Sequence, residues 1–202
     1  PRQWPDTRRG EAHYARLVTA VSFTASAHAA PDACFSSPRA PSPAVPRFLT
    51  HLAVENAIAE NDGLVGFEGM NNFYLYQYAG QSRFVFIPWD KDTTFVSADF
   101  PLLQRVDSNV LVRRLLADPA QMAFYRDAVK RAGTVAVNRA FLLPRIEAMY
   151  ELIRNAALED GKKPYTDEEF ELGVEGLKAL VGAREQAIAA QSSRAIRIVK
   201  PS

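Results

Sequence analysis

Cysteine is nearly absent: Cys34 stands alone in 202 residues. A single thiol excludes an internal disulfide, and without paired Cys or Cys/His spacing around it there is no basis for a structural zinc site. Long hydrophobic runs are missing too. No stretch approaches the roughly 20 apolar residues needed to span a bilayer, so the sequence predicts no transmembrane helix. An excess of one charge is also lacking, since 24 Lys and Arg nearly cancel 23 Asp and Glu and leave a net charge of +1. That balance gives no electrostatic footprint for nucleic acid. Internal repeats are absent. What remains, 48% hydrophobic and 23% charged residues, suffices for one globular core and carries no compositional sign of wholesale disorder.

The first 46 residues read differently from the rest. Arg8, Arg9 and Arg16 precede a mildly apolar run from Leu17 to Ala25, and Ala27-His28-Ala29 has the small-x-small form of a signal-peptidase site. The pattern over 8–29 is that of a weak export signal, diluted by Thr19, Ser22 and Thr24, and it leaves export or a cell-envelope location open. Pro31, Pro38, Pro41, Pro43 and Pro46 then fall among Ser and Ala, a composition that resists helix and strand and favours an extended linker. We therefore expect a poorly ordered segment over 1–46 and a domain over 47–200.

Within the domain, Phe48, Leu49, Leu52, Ala53, Ala57 and Ile58 recur at helical spacing, with Asn61-Asp62-Gly63 as the stop. Two strand-like runs, 72–78 and 83–87, are joined by Ala79-Gly80-Gln81-Ser82, which predicts a β-hairpin. Four helices are predicted after Pro101, over 110–116, 119–132, 139–158 and 167–190, the last opened by a capping box between Thr166 and Glu169.

Asp62, Asn71, Asn72, Asp90 and Asp92 all lie at the ends of predicted elements. In Ile87-Pro88-Trp89-Asp90-Lys91-Asp92 two carboxylates follow a strand at a spacing of two, and an extended backbone there aims both to one side. Such a pair of hard oxygen ligands suits Mg²⁺ or Mn²⁺ shared with substrate phosphates. The competing reading is turn chemistry, because Asp, Asn and Gly are favoured wherever the chain bends. His51, inside a predicted helix, reads as structural. Trp89 and the tyrosines Tyr74, Tyr76 and Tyr78 read as core or cross-strand packing in preference to an adenine platform.

The segments Phe48 to Asn56, Glu60-Asn61-Asp62-Gly63, Met70 to Tyr76 and Phe86 to Phe95 together resemble the CotH kinase family in order, spacing and aromatic content, over about residues 47 to 132. The resemblance implies an α+β, helix-rich fold like the C-lobe of an atypical protein kinase, with a hairpin and a C-terminal helical bundle. It implies transfer of the γ-phosphoryl of ATP to protein Ser or Thr hydroxyls with Mg²⁺ or Mn²⁺. Asp62 then matches the aspartate that orients or deprotonates the acceptor. Asn72 matches a polar position near the metal and phosphates, Asp90 matches the metal-binding aspartate, and Asp92 supplies a second acidic group. These parts suit phosphoryl transfer, which relies on positioning and charge neutralisation more than on covalent chemistry.

The chain also departs from that pattern. A kinase needs a phosphate-covering loop and a lysine on the ATP phosphates. Residues 1–46 contain no lysine and only Gly10 as glycine, so an N-lobe is expected to be missing and the kinase truncated or impaired. Two other readings follow: a non-enzymatic coat or surface assembly module that keeps the fold for protein binding, and a carboxylate-based metal hydrolase.

Overall fold

The computed structural model describes residues 44–193 apart from 68, 78 and 80–83. The export-like pattern and nearly all of the Pro-rich segment lie outside the described residues. The elements run in the order α1 (Ala44–Ala57), β1 (Phe73–Gln77), β2 (Phe84–Pro88), a 3₁₀ turn (Val106–Ser108), α2 (Val110–Leu116), α3 (Pro119–Val135), α4 (Arg139–Glu159) and α5 (Asp167–Ser193). The helix-rich α+β class expected from the sequence holds.

α1 is the innermost element. Phe48, Leu49, Leu52, Ala53 and Ala57 are buried at i, i+3 and i+4 spacing, and α1 packs on α3 and β2. It begins at Ala44, three residues upstream of the expected start at Arg47, so Pro46 lies in the first helical turn. Proline is accommodated there because the first N–H groups of a helix have no intrahelical partner to lose. The other end also differs from expectation. Ala59 N–H donates to the Asn56 carbonyl at 3.3 Å and Glu60 N–H to the Glu55 carbonyl at 3.0 Å, with Ala59 at φ 54°. This paired closure around the left-handed Ala59 ends the helix at Ala57, ahead of Asn61-Asp62-Gly63.

The hairpin is antiparallel, with Phe73 opposite Pro88 and Leu75 opposite Phe86. Phe73 and Phe86 turn toward the core, where Phe86 meets Phe48 at 4.9 Å between ring centroids. Tyr74, Tyr76 and Trp89 are more than half exposed. Tyr74 and Trp89 do pack edge to face across the strands at 5.2 Å, but on the outer face and outside the core.

The predicted helices after Pro101 are present, and their starts follow local chemistry. Side chains of Asn109, Asp118 and Asn138 accept N–H groups in the first turns of α2, α3 and α4. At α5, Thr166 N–H donates to Glu169 Oε2 (2.7 Å) and Glu169 N–H to Thr166 Oγ1 (3.1 Å), completing the capping box.

Arg184 of α5 is fully buried and is bound by backbone carbonyls of the described residues. Its Nε donates to the Ala57 carbonyl (2.9 Å), Nη2 to Asn56 (2.6 Å) and Nη1 to Ala98 and Phe100 (both 2.7 Å). The Asn56 and Ala57 carbonyls lie at the C-terminal end of α1, where the helix dipole also favours a cation. Burial pushes the guanidinium down to about 10, so it stays charged at neutral pH. Gln191, two turns on, takes Leu102 N–H on Oε1 and donates to the Phe100 carbonyl.

Arg184→Met removes these donors and leaves carbonyls buried without partners. It is expected to lower unfolding free energy by about 2–4 kcal/mol in urea denaturation, near the upper end for lost charged hydrogen bonds. Arg139→Ala, which breaks an exposed pair with Glu185, should change it by less than about 1 kcal/mol. Equal effects of the two substitutions would contradict the anchoring role of Arg184.

Candidate functional site

The site begins where α1 stops. After Ala59 the chain folds back on itself: Gly66 N–H reaches the Gly63 carbonyl (3.2 Å), Phe67 N–H the Asn61 carbonyl (2.8 Å) and Asn71 N–H the Gly63 carbonyl (3.1 Å). Glycine is required at the crossing. A Cβ at Gly66 would stand 2.7 Å from both the Asn61 carbonyl oxygen and Asp62 Cα, and a Cβ at Gly63 would stand 2.6 Å from Glu55 Oε2.

This loop presents the half-buried Asp62. Asn71 Nδ2 donates to Asp62 Oδ1 (3.0 Å) and Asn72 Nδ2 to Oδ2 (2.7 Å). A carboxylate only accepts, so each amide must turn its NH₂ toward Asp62 and its carbonyl oxygen away. Asn72 is therefore an oriented hard-oxygen donor. Its own backbone is left-handed, at φ 50°, a conformation asparagine tolerates better than most residues.

The segment carrying Asp90 and Asp92 is tied to the same loop. Trp89 N–H donates to the Asn72 carbonyl (3.0 Å), Asn61 N–H to Thr93 (3.1 Å) and Phe95 N–H to Ile58 (2.7 Å). Thus the sequence-predicted residues Asp62, Asn71 and Asn72 are brought into direct contact, and Asp90 and Asp92 lie on the neighbouring loop. Contrary to the expectation from the sequence, the backbone carrying that pair is not a continued strand. β2 ends at Pro88 and Asp90 sits at φ 45°, so the spacing of two does not by itself set a shared direction. Both side chains are exposed; Asp92 Oδ1 accepts from Thr93 Oγ1 at 3.0 Å.

For a divalent metal, the donor chemistry fits in kind. Among the described residues no three His, Cys, Asp or Glu side chains gather as a complete ligand set. One or two carboxylates with an amide oxygen match the sparse protein contribution that Mg²⁺ accepts when water and phosphate fill the other positions. By donor type, the candidate ligands on these two loops are Asp90, Asp92 and Asn72 Oδ1.

Three residues beneath the loops escaped the sequence reading. Glu55, 3% exposed, accepts from Lys91 Nζ (2.7 Å) and His51 Nε2 (2.8 Å) on Oε1 and from Leu64 N–H (2.8 Å) on Oε2. Burial alone would raise its carboxyl, but the hydrogen bonds from His51, Lys91 and Leu64 outweigh it and hold the group below its ordinary range. Glu60, 1% exposed, accepts Asp62 N–H on Oε1 at 2.8 Å and has no partner on Oε2. Its carboxyl is raised, chiefly by burial, against the opposing effect of the Asp62 hydrogen bond. Lys91 is the first lysine in the chain. Its position between two acidic residues was the available sequence signal, and it indicated no partner on α1.

Beside this cluster, an apolar recess of about 450 Å³ opens between Leu64, Met70, the inner hairpin residues Phe73 and Leu75, and Val110 and Leu111 at the start of α2.

Comparison with known proteins identifies the family. A family model described as CotH kinase protein matches residues 42–188. The inner spore coat protein H of Bacillus subtilis (strain 168) is similar, 28% identical over 135 residues, which cover 63% of this chain and 35% of that protein. The chain thus spans little more than a third of the length of this relative. Among the described residues no helix is long and apolar enough to cross a membrane.

Because the Glu55 carboxyl is depressed in the folded state, its contribution to stability is present above the ordinary value of 4.5 and is lost as pH falls through the lower folded value. Glu55→Gln should therefore flatten the acid limb of a stability-against-pH curve below about pH 4.5; an unchanged limb would remove Glu55 from that role. Gly66→Ala should cost about 1–3 kcal/mol by chemical denaturation, because the displaced atoms are backbone. It should also shift the side-chain amide resonances of Asn71 and Asn72, and a neutral effect on both would contradict the tight crossing.

Proposed function

The chain belongs to the CotH kinase protein family, and on that premise we propose that it works as a phosphotransferase using ATP and Mg²⁺ or Mn²⁺ on protein Ser or Thr hydroxyls. The observation that carries the reading is the Asp62 carboxylate, with both oxygens fixed by the amides of Asn71 and Asn72, beside the backbone-tethered loop of Asp90 and Asp92.

In this reading Asp62 accepts a hydrogen bond from the acceptor hydroxyl, aims its oxygen and takes its proton as the new bond forms. Asn71 and Asn72 keep the carboxylate from rotating, which matters because a misplacement of about 1 Å can cost about a hundredfold in rate. Asp90 and Asp92, with Asn72 Oδ1, hold the divalent cation, whose chemistry is to neutralise charge on the phosphate oxygens. Lys91 is engaged by Glu55, so these residues offer no uncommitted lysine to a nucleotide. Transfer by the 202 residues alone is accordingly expected to be weak.

A second reading is assembly without catalysis. Tyr74, Tyr76, Ile87 and Trp89 form an exposed aromatic face on the hairpin, and large exposed apolar patches commonly mark protein contacts. The name of the Bacillus relative places that protein in a spore coat. This reading expects no ATP transfer, and expects association that is lost in Tyr74→Ser, Trp89→Ser.

Mg²⁺ or Mn²⁺ at about 100 times its Kd should stabilise the wild type by about 2.7 kcal/mol, read as a rise in Tm. Asp90→Asn should abolish most of the rise. The same rise in the double Asp90→Asn, Asp92→Asn variant would reject the metal assignment. In a radiolabelled-ATP assay on this chain and on a longer parent protein, Asp62→Asn should reduce transfer about 10²–10⁴-fold. An active parent indifferent to Asp62→Asn would reject the role given to Asp62.

A further inference from the structure

Glu55 is the point where the two loops of the site meet. Oε2 holds the 60–66 loop through Leu64 N–H, and Oε1 holds the 89–93 loop through Lys91 Nζ. The carboxylate is 3% exposed, and the paired side chains of Lys91 and His51 are 22% and 11% exposed. A buried ion pair of this kind is weak evidence for stability, because desolvation consumes most of the attraction and apolar replacements are often as stable. Its value lies in geometry. A leucine at position 55 could fill the volume, but it could hold neither the Leu64 N–H nor the Lys91 ammonium.

We propose that Glu55 is a positioning residue that couples the Asp62 loop to the Asp90 and Asp92 loop, so that a displacement of either is felt by the other. Lys91 and Leu64 both reach Glu55, one on each oxygen. Gly63 is part of the same device, since a Cβ there would stand 2.6 Å from Glu55 Oε2 and 2.8 Å from Glu60 Cγ, so glycine is what admits both side chains. Coupling of this kind is reciprocal. Whatever organises Asp90 and Asp92 also steadies Asp62, and an acceptor held at Asp62 also steadies the other loop. The functional meaning rests on the phosphotransfer reading, but the coupling itself does not.

The test is amide hydrogen exchange at Leu64, followed by NMR with neither metal nor nucleotide present, so its outcome is independent of whether the chain transfers phosphate. Lys91→Met should speed exchange of the Leu64 N–H by about fivefold or more, because the carboxylate that accepts it loses its anchor. Lys91→Arg, which keeps the charge, should restore most of the protection. In a Glu55→Gln background the further Lys91→Met change should add less than about twofold, since coupled residues do not act additively. Unchanged Leu64 exchange in Lys91→Met overturns the proposal. So does the same acceleration in both backgrounds, which would route the effect through the Asn61 to Thr93 backbone bond. If Glu55→Gln does not fold, the comparison of Lys91→Met with Lys91→Arg decides alone: acceleration by the first and protection by the second supports the coupling, and equal behaviour overturns it.

Discussion

The site depends on where α1 ends, and that point is fixed from across the molecule by one buried guanidinium. Arg184 meets the carbonyls of Asn56 and Ala57 on one side and those of Ala98 and Phe100 on the other. It therefore joins α5, the last turn of α1 and the segment leaving the Asp90 loop. A buried charge is tolerated only where hydrogen bonds replace its water. The four carbonyls meet that demand, the Asn56 oxygen while also accepting Ala59 N–H and the Phe100 oxygen while also accepting from Gln191. Asn56 adds a second tie, donating to the Leu102 carbonyl and to the Tyr125 hydroxyl. Once the end of α1 is set, Glu55 and Glu60 are set with it, and they in turn hold Leu64 and Asp62.

The loops built on this anchor are not relaxed. Ala59, Asn72, Asp90 and Phe95 all have positive φ, and all lie in the turns around the site. For Asn and Asp the cost is small; for Ala and Phe it is about 1–2 kcal/mol each. Residues in such conformations persist only where the surroundings over-determine them. Here the surroundings are the backbone bonds from Phe95 to Ile58, Asn61 to Thr93 and Trp89 to Asn72. The result is a carboxylate, Asp62, whose direction is settled before anything binds, which is what a reaction governed by positioning requires.

Much of this was legible in the sequence where the cause is local. Among the described residues apolar periodicity placed the five α-helices, and the cap chemistry of Thr166 and Glu169 is set by residues three apart. The hairpin was readable because alternation and a Gly-containing link act over short range. Asp62, Asn71 and Asn72 stood out as polar residues at the ends of predicted elements, and the family resemblance added expected roles for Asp62 and Asn72, whereas their mutual contact is tertiary and spacing does not encode it. What could not be read was long-range. Nothing near Ala59 announces a left-handed helix stop, because Gly63 is the residue that local rules favour, and close packing against Glu55 claims that glycine instead. Arg184 sits in a helix of mixed polarity like any solvated arginine, and only the approach of α1 turns it into a buried anchor. Asp90 followed a strand and was expected to continue it; the tether at Trp89 turns the chain instead.

The charge distribution around the loops adds a constraint on the proposed chemistry. Glu55, Glu60, Asp62, Asp90 and Asp92 are gathered along segments that include a single lysine, Lys91, already committed to Glu55 at 2.7 Å. The two buried acids divide unequally: Glu55, with the cation, is held down, while Glu60, with a single N–H partner and an unpartnered second oxygen, is held up. Three further carboxyl groups, Asp62, Asp90 and Asp92, line the loops, and acidic side chains do not attract a phosphate. A nucleotide approaching these residues needs positive charge that they do not supply. Under the phosphotransfer reading the divalent cation is therefore a condition of nucleotide binding as well as a contributor to rate. The acidic exposure of Asp90 and Asp92, costly for a site that receives phosphate directly, is what a site that receives it through a cation requires.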